Sequence, residues 1–123
     1  MQTQKVNIAE KFTLFNEYFT LKIIGEANGQ YVKIAKIQGE FVWHSHENED
    51  ELFLIFKGVM TVEFRDHTVH LGEGEMLVVP KGVEHRTSAS EEAYIMMIEP
   101  KSTAHSGNVE SDLTVPTEAQ VWI

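Results

Sequence analysis

The chain has 123 residues, a hydrophobic fraction of 42% and a formal net charge of -9, which suits one domain around one core and leaves no room for a second. The acidic balance and the lack of any Lys/Arg cluster argue against nucleic acid and anionic membrane as partners. Cysteine is absent, so disulfides, thiolate catalysis and cysteine-bound zinc are excluded.

Met1–Lys5 carries no apolar signal run, and the longest apolar stretches reach about five residues against the roughly 20 that a membrane span needs. A soluble cytoplasmic protein is the expectation. Residues 6–19 mix apolar and charged positions, and the spacing of Ile8, Phe12 and Phe15 predicts a short helix or strand extension that lays Phe12 and Phe15 on the body. From Phe19 to Ile24 and from Gln30 to Gly39 the pattern turns strand-like, Val32, Ile34 and Ile37 interleaving with lysines around an Asn28-Gly29 turn. Leu52–Phe56, Val59–Phe64, Thr68–Leu71, Met76–Val79 and Tyr94–Ile98 continue as short runs rich in β-branched and aromatic residues. Lys57-Gly58, Asp66-His67, Gly72-Glu73-Gly74 and Pro80-Lys81-Gly82 separate them.

Short strands at this spacing, with no long helical pattern between them, predict an all-β antiparallel sandwich or barrel. The barrel core spans about 20–100, with an N-terminal extension at 1–19 and a C-terminal tail at 101–123. Unbroken apolar runs at 52–56 and 95–98 predict strands covered on both faces, as in a wall that also meets another sheet or subunit. The tail is polar but ends Val121-Trp122-Ile123, which is expected to dock on the barrel or a neighbour.

Candidate metal ligands concentrate at Gly39–Gly58. His44 and His46 are two apart, so on a strand both imidazoles point to the same face. Glu47-Asn48-Glu49-Asp50 is too polar to continue that strand and predicts a turn, after which Glu51 opens the next strand and can face the histidines across a hairpin. Two imidazoles and a carboxylate make a site for a divalent first-row metal that lacks a fourth ligand. In Gly74–His85 a strand ends at Pro80, Gly82 permits a tight turn, and His85 begins another strand with its ring available to the interior.

These two stretches resemble the two signature motifs of the cupin superfamily. Gly39, His44, His46, Glu51 and Gly58 match the first, with an opening interval one residue short. Gly74, Pro80, Gly82 and His85 match the second, with Ala89 where an asparagine usually closes it. The resemblance covers residues 39–89 directly and is closest to small single-domain cupins of the mannose-6-phosphate isomerase-like kind. It implies a double-stranded β-helix, or jelly-roll barrel, and the seven or eight runs above agree with eight strands in two Greek keys. It further implies one divalent transition metal ion per chain held by His44, His46, Glu51 and His85, and a homodimer. The donor set suits iron, manganese, nickel, cobalt or zinc.

Other residues carry weaker expectations. Phe53 shares parity with Glu51 and is a pocket-lining candidate. Glu47, Glu49 and Asp50 read as a solvated acidic loop, and His67, His70 and His105 as surface histidines. Trp43 and Arg86 lie opposite His44 and His85, which assigns Trp43 to packing or a dimer interface and Arg86 to an exterior ion pair. No inward Arg or Lys is apparent for a phosphate.

Three functions stay open. One is isomerase or lyase chemistry on a small hydroxy-carbonyl metabolite, the metal polarising the carbonyl. Another is a metal-dependent dioxygenase. The third is a non-catalytic small-molecule-binding module, which would have to signal through a partner because the chain lacks a basic DNA-binding extension.

Overall fold

Apolar and polar residues alternate with a period of two along most of the chain, and the backbone follows that alternation into strands. The computed structural model describes residues 3–107 and 120–123. One short helix, α1 (Ile8–Phe12), precedes β1 (Lys22–Ala27), β2 (Gln30–Glu40), β3 (Glu51–Lys57), β4 (Met60–Phe64), β5 (Thr68–Leu71), β6 (Met76–Val79), β7 (His85–Pro100) and β8 (Val121–Trp122). The architecture is the all-β jelly-roll barrel expected from the pattern of runs.

The extension is helical. Asn7 caps α1, its side-chain oxygen accepting the Glu10 N–H at 3.1 Å, as a short polar residue at this position favours. Phe12 and Phe15 are buried with Ile24 and Ile34, and the Phe12 ring stacks on Tyr94 at 4.7 Å. A small second core thus forms on the outside of β2. Lys36 is buried there too, its Nζ donating to the Phe15 carbonyl at 2.7 Å.

β1 differs from the Phe19–Ile24 run, beginning at Lys22 and continuing to Ala27. Phe19 has φ 57, a conformation that interrupts a strand. Its N–H donates to the Lys36 carbonyl instead. The Asn28-Gly29 turn is present, both residues having positive φ, 54 and 76, as a two-residue hairpin turn requires.

β7 organises the barrel. β2 pairs along one edge of it, from Gln30↔Pro100 to Glu40↔Ser88. Its other edge is shared, the start pairing with β4 through Phe64↔His85 and the later part with β3 through Leu52↔Ile98. A bulge places Ser90–Glu92 in solvent between these parts, which lets one strand serve two sheets. Parity survives the bulge, so His85, Thr87, Ala89, Ala93, Ile95, Met97 and Glu99 are all buried. Glu51, Phe53 and Ile55 of β3 and Lys33, Ala35 and Ile37 of β2 are buried as well.

The expectation that residues 52–56 are covered on both faces is met only on the inner one. Within the chain Phe56 and Val78 are exposed, and so is Met76 at 54%. The end of the chain docks as expected: β8 pairs in parallel with β1, Trp122 sets its ring edge-on to Tyr31, and the Ile123 N–H donates to the Ile23 carbonyl. Among the described residues no helix is long and apolar enough to cross a membrane.

Candidate metal centre

His85 opens β7 with inward parity, and Glu51 opens β3 with inward parity, opposite Val79 of β6. The histidine pair reaches them differently from expectation. Residues 41–50 form no strand, only an isolated bridge between His44 and His85. Glu51 therefore does not face His44 and His46 across a hairpin, since β3 pairs with β6 and β7. His46 is anchored instead by its carbonyl, which accepts the Gly82 N–H at 2.7 Å. The second motif's turn thus positions the first motif's second histidine.

Donor atoms of His44, His46, Glu51 and His85 all lie within 4.8 Å of one another, and all four residues are buried. Atoms bound at about 2.0–2.2 Å to one ion lie at most about 4.4 Å apart, so only a few tenths of an ångström of closure would be needed. Glu51 Oε1 stands 3.5 Å from His46 Nε2 and 3.4 Å from His85 Nε2. Among the described residues these three atoms have no hydrogen-bond partner, nor does His46 Nδ1. Buried polar atoms without partners are costly, and a divalent cation would satisfy this set.

The ring orientations are prepared for it. His44 Nδ1 donates to the Val42 carbonyl at 2.8 Å and His85 Nδ1 to the Val83 carbonyl at 3.0 Å, which leaves Nε2 of each as the donor available to a metal. Burial, followed by the neighbouring His85, holds His44 down to about 3. Burial also lowers His46 and His85. These shifts favour the neutral rings that ligation requires. Glu51 is pushed upward by burial.

A cavity of about 30 Å³ adjoins the donors, walled by Phe19, Phe41, Phe53, Ile95 and Met97, with Thr87 and His105 among its polar groups. Phe53 lines it beside Glu51, where parity had placed it. His105 is a correction: it is no surface histidine but lies over Phe41, ring centroids 4.7 Å apart, with burial holding it down to about 4. The segment 103–107 brings it there. Gly107 packs on the Ser45 carbonyl and the His44 ring so closely that a Cβ would collide.

The remaining residues lie outside this group. His67 and His70 are exposed, bonded to Asp66 and Thr61 respectively. Arg86 pairs outward with Glu63 at 3.0 Å and Glu40 at 3.2 Å. Trp43 lies beneath the Arg65 guanidinium at 3.8 Å. Glu47 and Asp50 are exposed and Glu49 is half-buried, its Oε1 4.0 Å from His46 Nδ1.

Sequence reasoning missed Lys33 and Glu99, which form a buried ion pair at 2.8 Å. Glu99 also touches Glu51, and burial together with that carboxyl drives its own protonation well upward. The signal was parity: Lys33 shares it with Ala35 and Ile37, and Glu99 with Ile95 and Met97.

A family model for the cupin domain matches residues 30–99. The chain belongs to the cupin family. A cupin-2 domain containing protein from Shewanella frigidimarina is 46% identical in a solved structure, with TM-score 0.77, covering 77% of this chain and 93% of that one. A protein from Neisseria meningitidis is 31% identical with TM-score 0.72, covering 79% and 99%. YdbB of Bacillus subtilis is 40% identical over 65 residues, 52% of this chain and 58% of that protein; the cupin thus matches less than two thirds of this curated relative's length. The cupin fold and the four converging donors together give a domain that could bind a divalent metal.

Proposed function

We propose that this cupin is a metal-dependent enzyme acting on a small, uncharged hydroxy-carbonyl metabolite, with isomerase or lyase chemistry. The observation that carries the reading is the joining of four buried donors to a largely apolar cavity that, among the described residues, no lysine or arginine lines. Lys33 is engaged by Glu99 and Arg86 by Glu63 and Glu40, so neither is offered to a phosphate. In this reading the likeness to mannose-6-phosphate isomerase extends to the type of chemistry and not to a phosphorylated substrate.

His44, His46, Glu51 and His85 would hold the ion. Bound there, a divalent metal supplies Lewis acidity to a carbonyl oxygen. Phe41, Phe53 and Met97 exclude water and pack the carbon skeleton. His105, neutral at neutral pH, accepts or donates a hydrogen bond at a substrate hydroxyl. The cavity has room only for water-sized ligands, so a metabolite of several carbons requires the 103–107 segment to shift.

The reading includes a homodimer. Leu54, Phe56, Met76, Val78 and Met96 share the outer face of β6, β3 and β7, an apolar surface of the kind that marks an interface; a second copy would cover it. A cytoplasmic setting, compatible with a chain that has no cysteine, is tested by fractionating cells that express it.

Elemental analysis of protein purified without added metal, with His46→Ala as control, tests the core of the proposal. About one equivalent of metal, lost in the variant, is the expected result. Turnover of hydroxy-carbonyl compounds without oxygen uptake then supports isomerase or lyase chemistry, whereas oxygen uptake under iron(II) would replace it with dioxygenase chemistry. Failure to bind metal on titration overturns both.

A further inference from the structure

Lys33 and Glu99 are among the least exposed side chains of the protein, at 0% and 1%. Removing two charges from water costs several kcal/mol per ion, and well-packed apolar residues often replace such a pair without loss of stability. Packing alone therefore does not account for the pair. Its placement does. β2, β7 and β3 are adjacent strands: Lys33 pairs with Met97, the inward neighbour of Glu99 on β7, and Glu51 precedes Leu52, whose partner Ile98 precedes Glu99. Lys33 Nζ holds Glu99 Oε1 at 2.8 Å, and one residue beyond the Leu52↔Ile98 pair the strand register sets the Glu99 carboxyl beside that of Glu51. Glu51 in turn presents one oxygen, Oε1, to both His46 Nε2 and His85 Nε2.

We propose that Lys33 and Glu99 are positioning residues for Glu51. Lys33 fixes Glu99, and Glu99 fixes the rotation of the Glu51 carboxyl, so that Glu51 donates through a single oxygen. A coordination position that a bidentate carboxylate would occupy is thereby kept for substrate or water. The ammonium also offsets the charge of the second carboxyl, so that Glu51 can give its own to the metal. Groups that orient a ligand in this way are typically worth 10–100-fold in metal affinity. The inference rests on the metal-binding reading above, and its test separates the two.

The test compares cobalt(II) binding, by competition with a chromogenic chelator and by the visible d–d bands that report coordination number. The proteins are the unsubstituted chain, His46→Ala, and the double variants K33M/E99L and K33M/E99Q. K33M/E99L removes the contact with Glu51 and leaves an apolar pair; K33M/E99Q leaves an amide that can donate to Glu51. Expected for K33M/E99L are thermal stability close to that of the unsubstituted apoprotein, a 10–100-fold weaker Kd and altered d–d bands. For K33M/E99Q an affinity within about threefold and unsubstituted bands are expected if ligand orientation follows this contact.

Unsubstituted affinity and bands in K33M/E99L overturn the assignment while leaving the metal site standing. Absence of cobalt binding by the unsubstituted chain overturns the metal site and this assignment together. Should K33M/E99L fail to fold, Glu99→Asp keeps the charge pair but withdraws the carboxyl from Glu51. About tenfold weaker binding is then expected, and unchanged binding overturns the proposal.

Discussion

His44 and His85 clasp one another through their backbones, His44 N–H donating to the His85 carbonyl at 3.0 Å and His85 N–H to the His44 carbonyl at 2.9 Å. Each ring then turns its Nδ1 back to the carbonyl two residues earlier, Val42 and Val83. Residues 41 positions apart in the chain thus become near-symmetric halves of one site, and their register is held by main-chain bonds that do not depend on a bound ion.

That arrangement predicts how ligand loss behaves. His46→Ala and His85→Ala should each abolish stoichiometric metal binding while the barrel stays folded, because the backbone clasp and the apolar core survive truncation of a ring. Far-ultraviolet circular dichroism with elemental analysis checks both halves, and full metal content in both variants would contradict the assignment.

The lowered imidazole values predict an unusual pH dependence of metal affinity. A proton competes with the metal only where the ring would be protonated, and ordinary imidazoles, near 6.5, would make log K rise by up to about three units per pH unit below that value. Here His44 is held down to about 3, and His46 and His85 are also lowered. Affinity should therefore rise with pH between 5 and 6 less steeply than three ordinary imidazoles would give, His44 releasing no proton there while the raised Glu51 carboxyl adds to the release. Calorimetry in buffers of different ionisation enthalpy counts the protons released; three would refute the reading.

Core and surface positions of similar chemistry should separate in stability. Ile55 is 1% exposed and Val59 is 55%, so Ile55→Ala should cost about 2–5 kcal/mol in urea unfolding and Val59→Ala no more than about 0.5 kcal/mol. Gly58→Ala belongs with the costly changes. Gly58 has φ +87, and a Cβ there would stand 3.0 Å from the Glu92 carbonyl oxygen, a strain of about 1–3 kcal/mol.

The exposed face of β3 and β6 predicts self-association. Leu54→Lys combined with Met76→Lys should shift a dimer to a monomer of 14.0 kDa in sedimentation velocity without loss of secondary structure. A monomeric unsubstituted protein would remove the dimer from the proposal.

The sequence by itself determined the strand pattern and hence the barrel, because one buried face imposes a period of two that can be read residue by residue. The same parity placed Glu51 and Phe53 on one side of β3, and spacing gathered His44, His46, Glu51 and His85 as one candidate set. Only the tertiary structure decided how the site is assembled. His46 is held by the Gly82 turn rather than by a strand, because Glu47–Asp50 is too polar to pair. It also decided that His105 enters the cavity, since Gly107 allows the chain to lie directly on Ser45 and His44, a contact between segments some 60 residues apart that no local pattern encodes. Lys33 and Glu99 illustrate the division most plainly. Parity pointed both inward, but a buried lysine is tolerable only beside its counter-charge, and that counter-charge lies 66 positions away, brought alongside by the pairing of β2 with β7.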